Sequence, residues 1–414
     1  MSVHVTIRAR LLRILVLALA VLLALLGAAA AEQFSAYRNA AVTAANARLS
    51  GTLQGLVHAL QKERGLTVGH LGGVRQFRDG LPARRRATDT ARTRLEAALR
   101  GRDDAVAAAV RASLRRLGAL AAIRRHADDG TATLNETFDG FTAAITVLDR
   151  PGLGLDDARD GRLRAACQAL RTLGSAKEFT GEEHALLLGA VPAGRFRADD
   201  YIRFLQLRAG RLAALESFGR SATAAQRRRL DAALGTPATA RALAYEGAAV
   251  RGGGRLDARA IPPVTWWASM TSTLNGLRAV QLSLGRDVED RAAELEGTAR
   301  RDLLLFALFA LGTVAALGRL ALDCVRSVST PLGALAAQVR EVSGVRLPRT
   351  LAAVRHGGPG RTPPPAPLVV PDRAAPEVVQ VAEAFERVQR LAYDLAVEQA
   401  VLRRDAAADP AALA

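Results

Sequence analysis

Leu60-Gln61-Lys62-Glu63-Arg64-Gly65-Leu66 closes a run in which Leu53, Leu56, Val57 and Leu60 recur at helical spacing. Arg64 lies four residues after Leu60 and seven after Val57, so a helix carries it onto that apolar stripe. A guanidinium on a core-facing stripe needs an anion. Either a carboxylate of the same chain meets it, or the site is built for a small anion from outside.

The 414-residue chain is 50% hydrophobic and only 4% aromatic, a composition of Ala, Leu and Val that favours helical bundles over sheets. The net charge of +17 comes almost wholly from arginine, Lys62 and Lys177 being the lysines. The arginines are scattered, without interleaved aromatics or the spacing of a zinc finger or basic zipper, so nucleic acid is not an expected partner. His58, His70, His126 and His184 lack helical metal spacing, and no Ser/His/Asp or Cys/His set occurs. No metal, cofactor or catalytic residue is therefore expected.

Arg8, Arg10 and Arg13 precede an unbroken apolar run from Ile14 to Ala31, long enough to cross a bilayer. The alanines at its end also suit a signal-peptidase site, but a second apolar run, Leu303 to Leu322, argues for two retained spans. Arg319 must then snorkel to the interface. Arginines before the first span predict cytoplasmic termini, leaving residues 32–302 outside the plasma membrane. Cys167 and Cys324 fall on opposite sides, so no disulfide joins them.

Residues 32–302 read as helical throughout, with breaks at Gly72-Gly73, Gly80 to Pro82, Gly130, Pro151 to Gly154, Val191 to Gly194, Gly235 to Pro237 and Gly252 to Gly254. The helix around Phe34 and Tyr37 continues the first span, and the one after Pro263 runs into the second. Residues 323–376 predict a short amphipathic helix to about Ser343, then a connector that its Pro and Gly clusters keep from being helical. Over residues 377–404, Val381, Phe385, Val388, Ala392, Leu395, Gln399 and Leu402 trace a heptad seam, predicting a parallel coiled coil between two copies. Residues 405–414 form an Ala-rich tail.

Two further helices repeat the anomaly at Arg64. Trp267, Leu274, Arg278, Gln281 and Leu284 share one face, as do Leu170, Leu173, Lys177, His184 and Leu188. Glu63, Glu178, Glu182 and Glu183 are available for internal pairing. Cations on the inward faces of separate helices also suit a shared oxyanion, which guanidinium forks bind in plane.

The first block, with Ala176-Lys177-Glu178 leading to Glu182-Glu183-His184-Ala185 and Trp267 leading to Leu277-Arg278-Ala279-Val280, resembles the nitrate- and nitrite-sensing domain of bacterial receptors. The resemblance spans about Ala36 to Glu296 and implies paired four-helix bundles with arginines around a planar anion, Arg64 and Arg278 matching the motif arginines. His184 stands where an arginine is more usual. Ser329-Thr330-Pro331-Leu332 and Glu377 resemble a HAMP linker, although its usual glycine is missing and the connector is long. The stretch from Val381 to Leu402 is similar to the segment before the kinase in actinobacterial sensor kinases. No kinase region follows, and His356, the last histidine, lies in the connector, so the chain is not expected to be an enzyme.

The expectation is an all-α, two-span receptor whose external domain binds nitrate or nitrite between Arg64 and Arg278. Lys177 or His184 is the expected third contact, and Thr67 a hydroxyl donor. A homodimer would pass the signal to a separate histidine kinase or other partner. The competing expectation is a membrane scaffold for such a kinase, blind to anions, in which the buried cations serve only internal ion pairs.

Overall fold

The computed structural model describes residues 7–408, apart from residues 150, 157, 258, 358–362, 364 and 373. The described chain is helical: α1 (Ile7–Leu71), α2 (Leu81–Ala98), α3 (Ala105–Arg116), α4 (Leu120–Asp128), α5 (Leu134–Asp149), α6 (Gly161–Ala190), α7 (Ala198–Ser221), α8 (Ala224–Leu234), α9 (Pro237–Arg251), α10 (Pro263–Cys324), α11 (Thr330–Glu341), α12 (Leu347–Gly357) and α13 (Pro376–Ala408). No strand occurs among the described residues; Arg195 and Arg255 form an isolated bridge. The chain divides into one unit of residues 34–301 and another of residues 1–33 with 302–414.

In the unit of residues 34–301 helices stop at the glycine and proline clusters marked in the sequence, and also at residues 99–104, Leu117–Ala119 and residues 222–223, which those clusters do not mark. Gly73 and Gly194 turn the chain at φ of 105° and 68°, a region open to glycine at little cost. Asp104, Asp160, Thr223 and Thr236 cap the helices that follow them, Thr223 and Gln226 as a reciprocal capping box.

Three cores organise this unit. Leu49, Leu56 and Leu60 of α1 pack with Leu95 of α2, Val110 and Leu114 of α3, Leu120 of α4, and Phe141 and Ile145 of α5. Leu163, Leu170 and Leu173 of α6 meet Phe218 of α7, Leu230 of α8, and Leu277 and Leu284 of α10. Leu186 to Leu188 meet Phe204 of α7, Ala249 of α9, and Trp266 and Met270 of α10. α1 contributes to all three, through Ala44 and Ala47 to the second and Leu66 to the third, so it packs on both the α2–α5 and the α6–α10 helices.

The buried face of α10 runs through Trp266, Met270, Thr273, Leu277, Val280, Leu284 and Val288. That stripe lies to one side of the predicted face of Trp267, Leu274 and Arg278. All three are only partly buried, while Gln281 and Leu284 of that predicted face are buried.

In the other unit, α1 and α10 each carry a stretch long and apolar enough to cross a membrane, with mean hydropathy 2.0 and 2.1. Ile14, Leu17, Leu304, Leu308 and Phe309 there are exposed, a pattern normally found where a partner or lipid covers the surface. The expected non-helical start of the connector is corrected: helix continues through two π-turns, Val325–Ser329 and Val342–Arg346, into α12, which includes His356. Residues 358–362 of the connector and the last six of the tail lie outside the described residues. Val378 and Ala382 of α13 pack on Leu335 of α11 and Val342, while Val381, Val388, Leu395 and Leu402 of the heptad seam stay exposed.

Candidate anion site

The predicted stripe on α1 forms as read: Leu56, Leu60 and Arg64 are each fully buried. Arg64 Nη1 donates to Glu178 Oε1 at 2.6 Å and to Thr142 Oγ1 at 2.9 Å. Its Nε and Nη2 are buried and have no partner, and the guanidinium lies over the Phe138 ring at 5.4 Å. The two readings of Arg64 therefore coexist. A carboxylate of the chain holds one edge, and the other edge is unspent.

That free edge lies behind the wall of a cavity of about 30 Å³ lined by His58, Gln61, Lys62, Gly65, Arg84, Lys177, Gly181, His184, Trp267, Thr271 and Leu274. The volume has room for one or two water-sized groups. Its walls follow helical spacing. His58, Gln61, Lys62 and Gly65 form one stripe on α1; Lys177, Gly181 and His184 form one on α6; Trp267, Thr271 and Leu274 form one on α10. At Gly181 an added Cβ would stand 3.1 Å from Arg64 Nη2, and at Gly65 it would stand 3.3 Å from Trp267 Cζ3. Glycine at these positions lets the guanidinium and the indole approach the backbone. The Trp267 and His184 rings lie 4.8 Å apart.

Every titratable residue lining this cavity is basic. Burial, with Arg278 and Arg64 adding repulsion and Glu178 and Asp149 opposing it, lowers the Lys177 ammonium from its usual 10.5 to about 7. Burial also lowers His184 to about 3. His58 is held well below the usual imidazole range by burial and by Lys177, Arg278, Lys62 and Arg84. Both imidazoles are therefore neutral at ordinary pH. His58 Nδ1 and His184 Nε2 are buried without a partner, an uncommon state for buried polar atoms.

Gln61 separates this basic cavity from acids. Its Oε1 accepts from Lys177 Nζ, and its Nε2 donates to Glu178. Beyond it, burial and the Glu178 charge raise Asp149 to about 6, and burial raises Glu182 to about 7. Glu63 is taken by Arg124, with Nε–Oε1 and Nη2–Oε2 distances of 2.6 and 2.9 Å.

Of the residues singled out in the sequence, Lys177 and His184 line the cavity and Arg64 abuts it through Gly181. Arg278 is not among the lining residues; it donates to Gln281 at 2.9 Å and lines a different, open cleft, although its charge acts on Lys177 and His58. Thr67 Oγ1 bonds the Glu63 carbonyl at 2.9 Å, one turn back in α1, and does not line the cavity. His58, Lys62, Arg84 and Gly181 were missed. The sequence signal for the first two is the stripe of His58, Gln61, Lys62 and Gly65, which runs beside the apolar one on α1.

Comparison with solved structures finds a chain titled "Structure of the NasR transcription antiterminator", with a TM-score of 0.58 and 19% identity over 93% of this chain and 99% of that one. At that identity it establishes a shared fold. No functionally curated protein matches the chain. The family described as nitrate and nitrite sensing matches residues 55–289, a span that holds α2–α9, most of α10's part of the domain and every residue of the cavity. The chain belongs to the nitrate- and nitrite-sensing (NIT) domain family.

Proposed function

We propose that this protein is a membrane receptor that senses nitrate or nitrite by holding one anion in the cavity between α1, α6 and α10. The observation that carries the reading is a buried cavity with only basic titratable side chains, next to unpartnered nitrogens on Arg64, His58 and His184. Lys177 and the free edge of Arg64 supply charge, the imidazoles supply neutral hydrogen bonds, and Arg278 adds to the field. The planar face of Trp267 suits a trigonal ion. Charge-assisted hydrogen bonds contribute about 1.5 to 3 kcal/mol each, so two of them account for micromolar to millimolar binding of a small ion.

In this reading the apolar runs of α1 and α10 cross the plasma membrane, with residues 32–302 outside and both termini cytoplasmic. Each of the two helices carries cavity residues and one apolar run in a continuous element, so a small movement of α1 against α10 is a route for the signal. The HAMP-like segment, paired in a homodimer through α13, passes it to a separate histidine kinase or other partner. A second reading, a scaffold indifferent to anions, draws on the Arg64–Glu178 pair, which already satisfies one edge of the guanidinium.

Calorimetric titration of the purified full chain with nitrate, nitrite, chloride and sulfate separates the two. Saturable heat with nitrate or nitrite, lost in Lys177→Met, is the expected result. Absence of heat with all four anions would leave only the scaffold.

A further inference from the structure

A separate, open cleft of about 620 Å³ lies between α1, α2 and α10 in the same unit. Arg48 of α1, Arg94 of α2, and Arg278 and Arg286 of α10 line it, against one carboxylate, Glu289. The guanidinium groups of Arg48, Arg94 and Arg286 have no hydrogen bond or ion pair among the described residues, although Arg48 acts at longer range on Glu289, and the Arg278 side chain bonds only the neutral Gln281. Elsewhere on this domain many arginines have their own acid, as Arg85 has Asp128, Arg203 has Asp139 and Arg291 has Asp160. The floor stays open because Gly55 and Gly285 have nothing within 4 Å of where a Cβ would stand.

Guanidinium forks bring planar paired donors to carboxylate and phosphoryl oxygens. Here the forks come from three helices around a cleft far larger than the inner cavity. The volume falls within the range of small-molecule sites, roughly 300 to 1,000 Å³. A second copy presenting the same cleft would set like charge against like charge, which disfavours a cleft-to-cleft dimer here.

We propose that this cleft binds a small polyvalent oxyanion, a molecule carrying two or more carboxylate or phosphoryl groups, at a site distinct from the inner cavity. Arg94 and Arg286 are exposed and touch nothing in the inner cavity, so Arg94→Gln with Arg286→Gln tests the site without disturbing the fold or the nitrate machinery.

The full chain is titrated calorimetrically with pyrophosphate and with citrate, using sulfate as the reference, in about 0.1 M chloride to screen loose surface attraction. Pyrophosphate or citrate is expected to saturate at one equivalent, at least about tenfold tighter than sulfate, and the double variant is expected to weaken it by about tenfold or more. Heat with pyrophosphate alone assigns phosphoryl ligands; heat with citrate alone assigns polycarboxylates. Affinity no better than that for sulfate, or unmoved by the double variant, overturns the site. The nitrate titration is run on the same variant: unchanged nitrate binding supports two distinct sites, and its loss refutes them. A chain that binds pyrophosphate but never nitrate would keep this site while removing the sensing reading.

Discussion

Arg64 and Glu178 share one contact, Nη1 to Oε1 at 2.6 Å, and it leaves the other edge of a fully buried guanidinium without a partner. Removing the guanidinium leaves Glu178, partly exposed and still accepting from Gln61, without its cation and opens a gap in the core. Arg64→Ala should therefore lower both stability and nitrate affinity, the latter by roughly tenfold to a hundredfold. Glu178→Gln keeps an acceptor for Nη1 but removes the competing charge, and is expected to tighten nitrate binding severalfold. Denaturant melts and calorimetry on the two variants check both. Weaker binding in Glu178→Gln would show that the acid supports the anion site rather than opposing it.

The pH dependence should follow Lys177. Burial and Arg278 bring its ammonium from 10.5 to about 7, while His58 and His184, displaced downward, stay uncharged through the neutral range. An anion favours the charged lysine, so nitrate affinity should be highest below about pH 7, where Glu182 and Asp149 also lose their opposing charge. Above it, affinity should fall by up to about tenfold per pH unit. The sign for stability is opposite. The unfolded chain keeps this proton to about 10.5 and the folded chain releases it near 7, so the group's contribution to stability rises with pH across that window and is lost as pH falls through 7. Nitrate titrations of the unaltered chain at pH 6, 7, 8 and 9 read the effect on affinity, and denaturant melts of Lys177→Met, expected to lose this pH slope, read the effect on stability.

Glu183 offers a test of stability alone. It is fully buried, lies 3.3 Å from Arg211 Nε without hydrogen-bond geometry, and shares that arginine with Glu246. Burial, then the Glu246 charge, raises it from 4.5 to about 8. A raised carboxyl stabilises the fold fully below its unfolded value near 4.5, and that contribution is lost as pH rises through about 8. Glu183→Gln should raise the melting temperature at pH 8.5 by roughly 2 to 4 °C, with little change at pH 5. Equal shifts at both pH values would rule out titration as the cause.

Gly181→Ala places a methyl group 3.1 Å from Arg64 Nη2, at the wall of the cavity. The helix gains from alanine by about 0.5 to 1 kcal/mol, so the fold should survive while the anion loses space and one donor. Nitrate affinity is expected to fall by about tenfold. The fluorescence of Trp266 and Trp267, the chain's tryptophans, gives a second readout, because Trp267 borders the same cavity.

Along α13, Val381, Val388, Leu395 and Leu402 recur every seven residues and are 55, 63, 53 and 61% exposed, a seam left open by the contacts within the chain. Val388→Asp with Leu395→Asp is expected to shift the full chain from dimer to monomer in sedimentation or light scattering. An unchanged mass would show that any dimer is held elsewhere.

The helical class, the breaks at glycine and proline, the apolar runs and the buried places of Arg64, Lys177 and His184 follow from the sequence alone. They rest on periodicity and local conformational preference, which act along the chain. Tertiary structure decided which acid each cation meets, because Glu178 is brought to Arg64 from a helix more than a hundred residues away. Packing also turned Arg278 out of the inner cavity into the arginine cleft, since Leu277, Val280 and Leu284 take the buried face of α10. It was packing, too, that brought His58, Lys62 and Arg84 around Lys177. Spacing within one helix can say which side chains share a face, but the neighbour that face meets is settled only when the larger apolar side chains compete for the core.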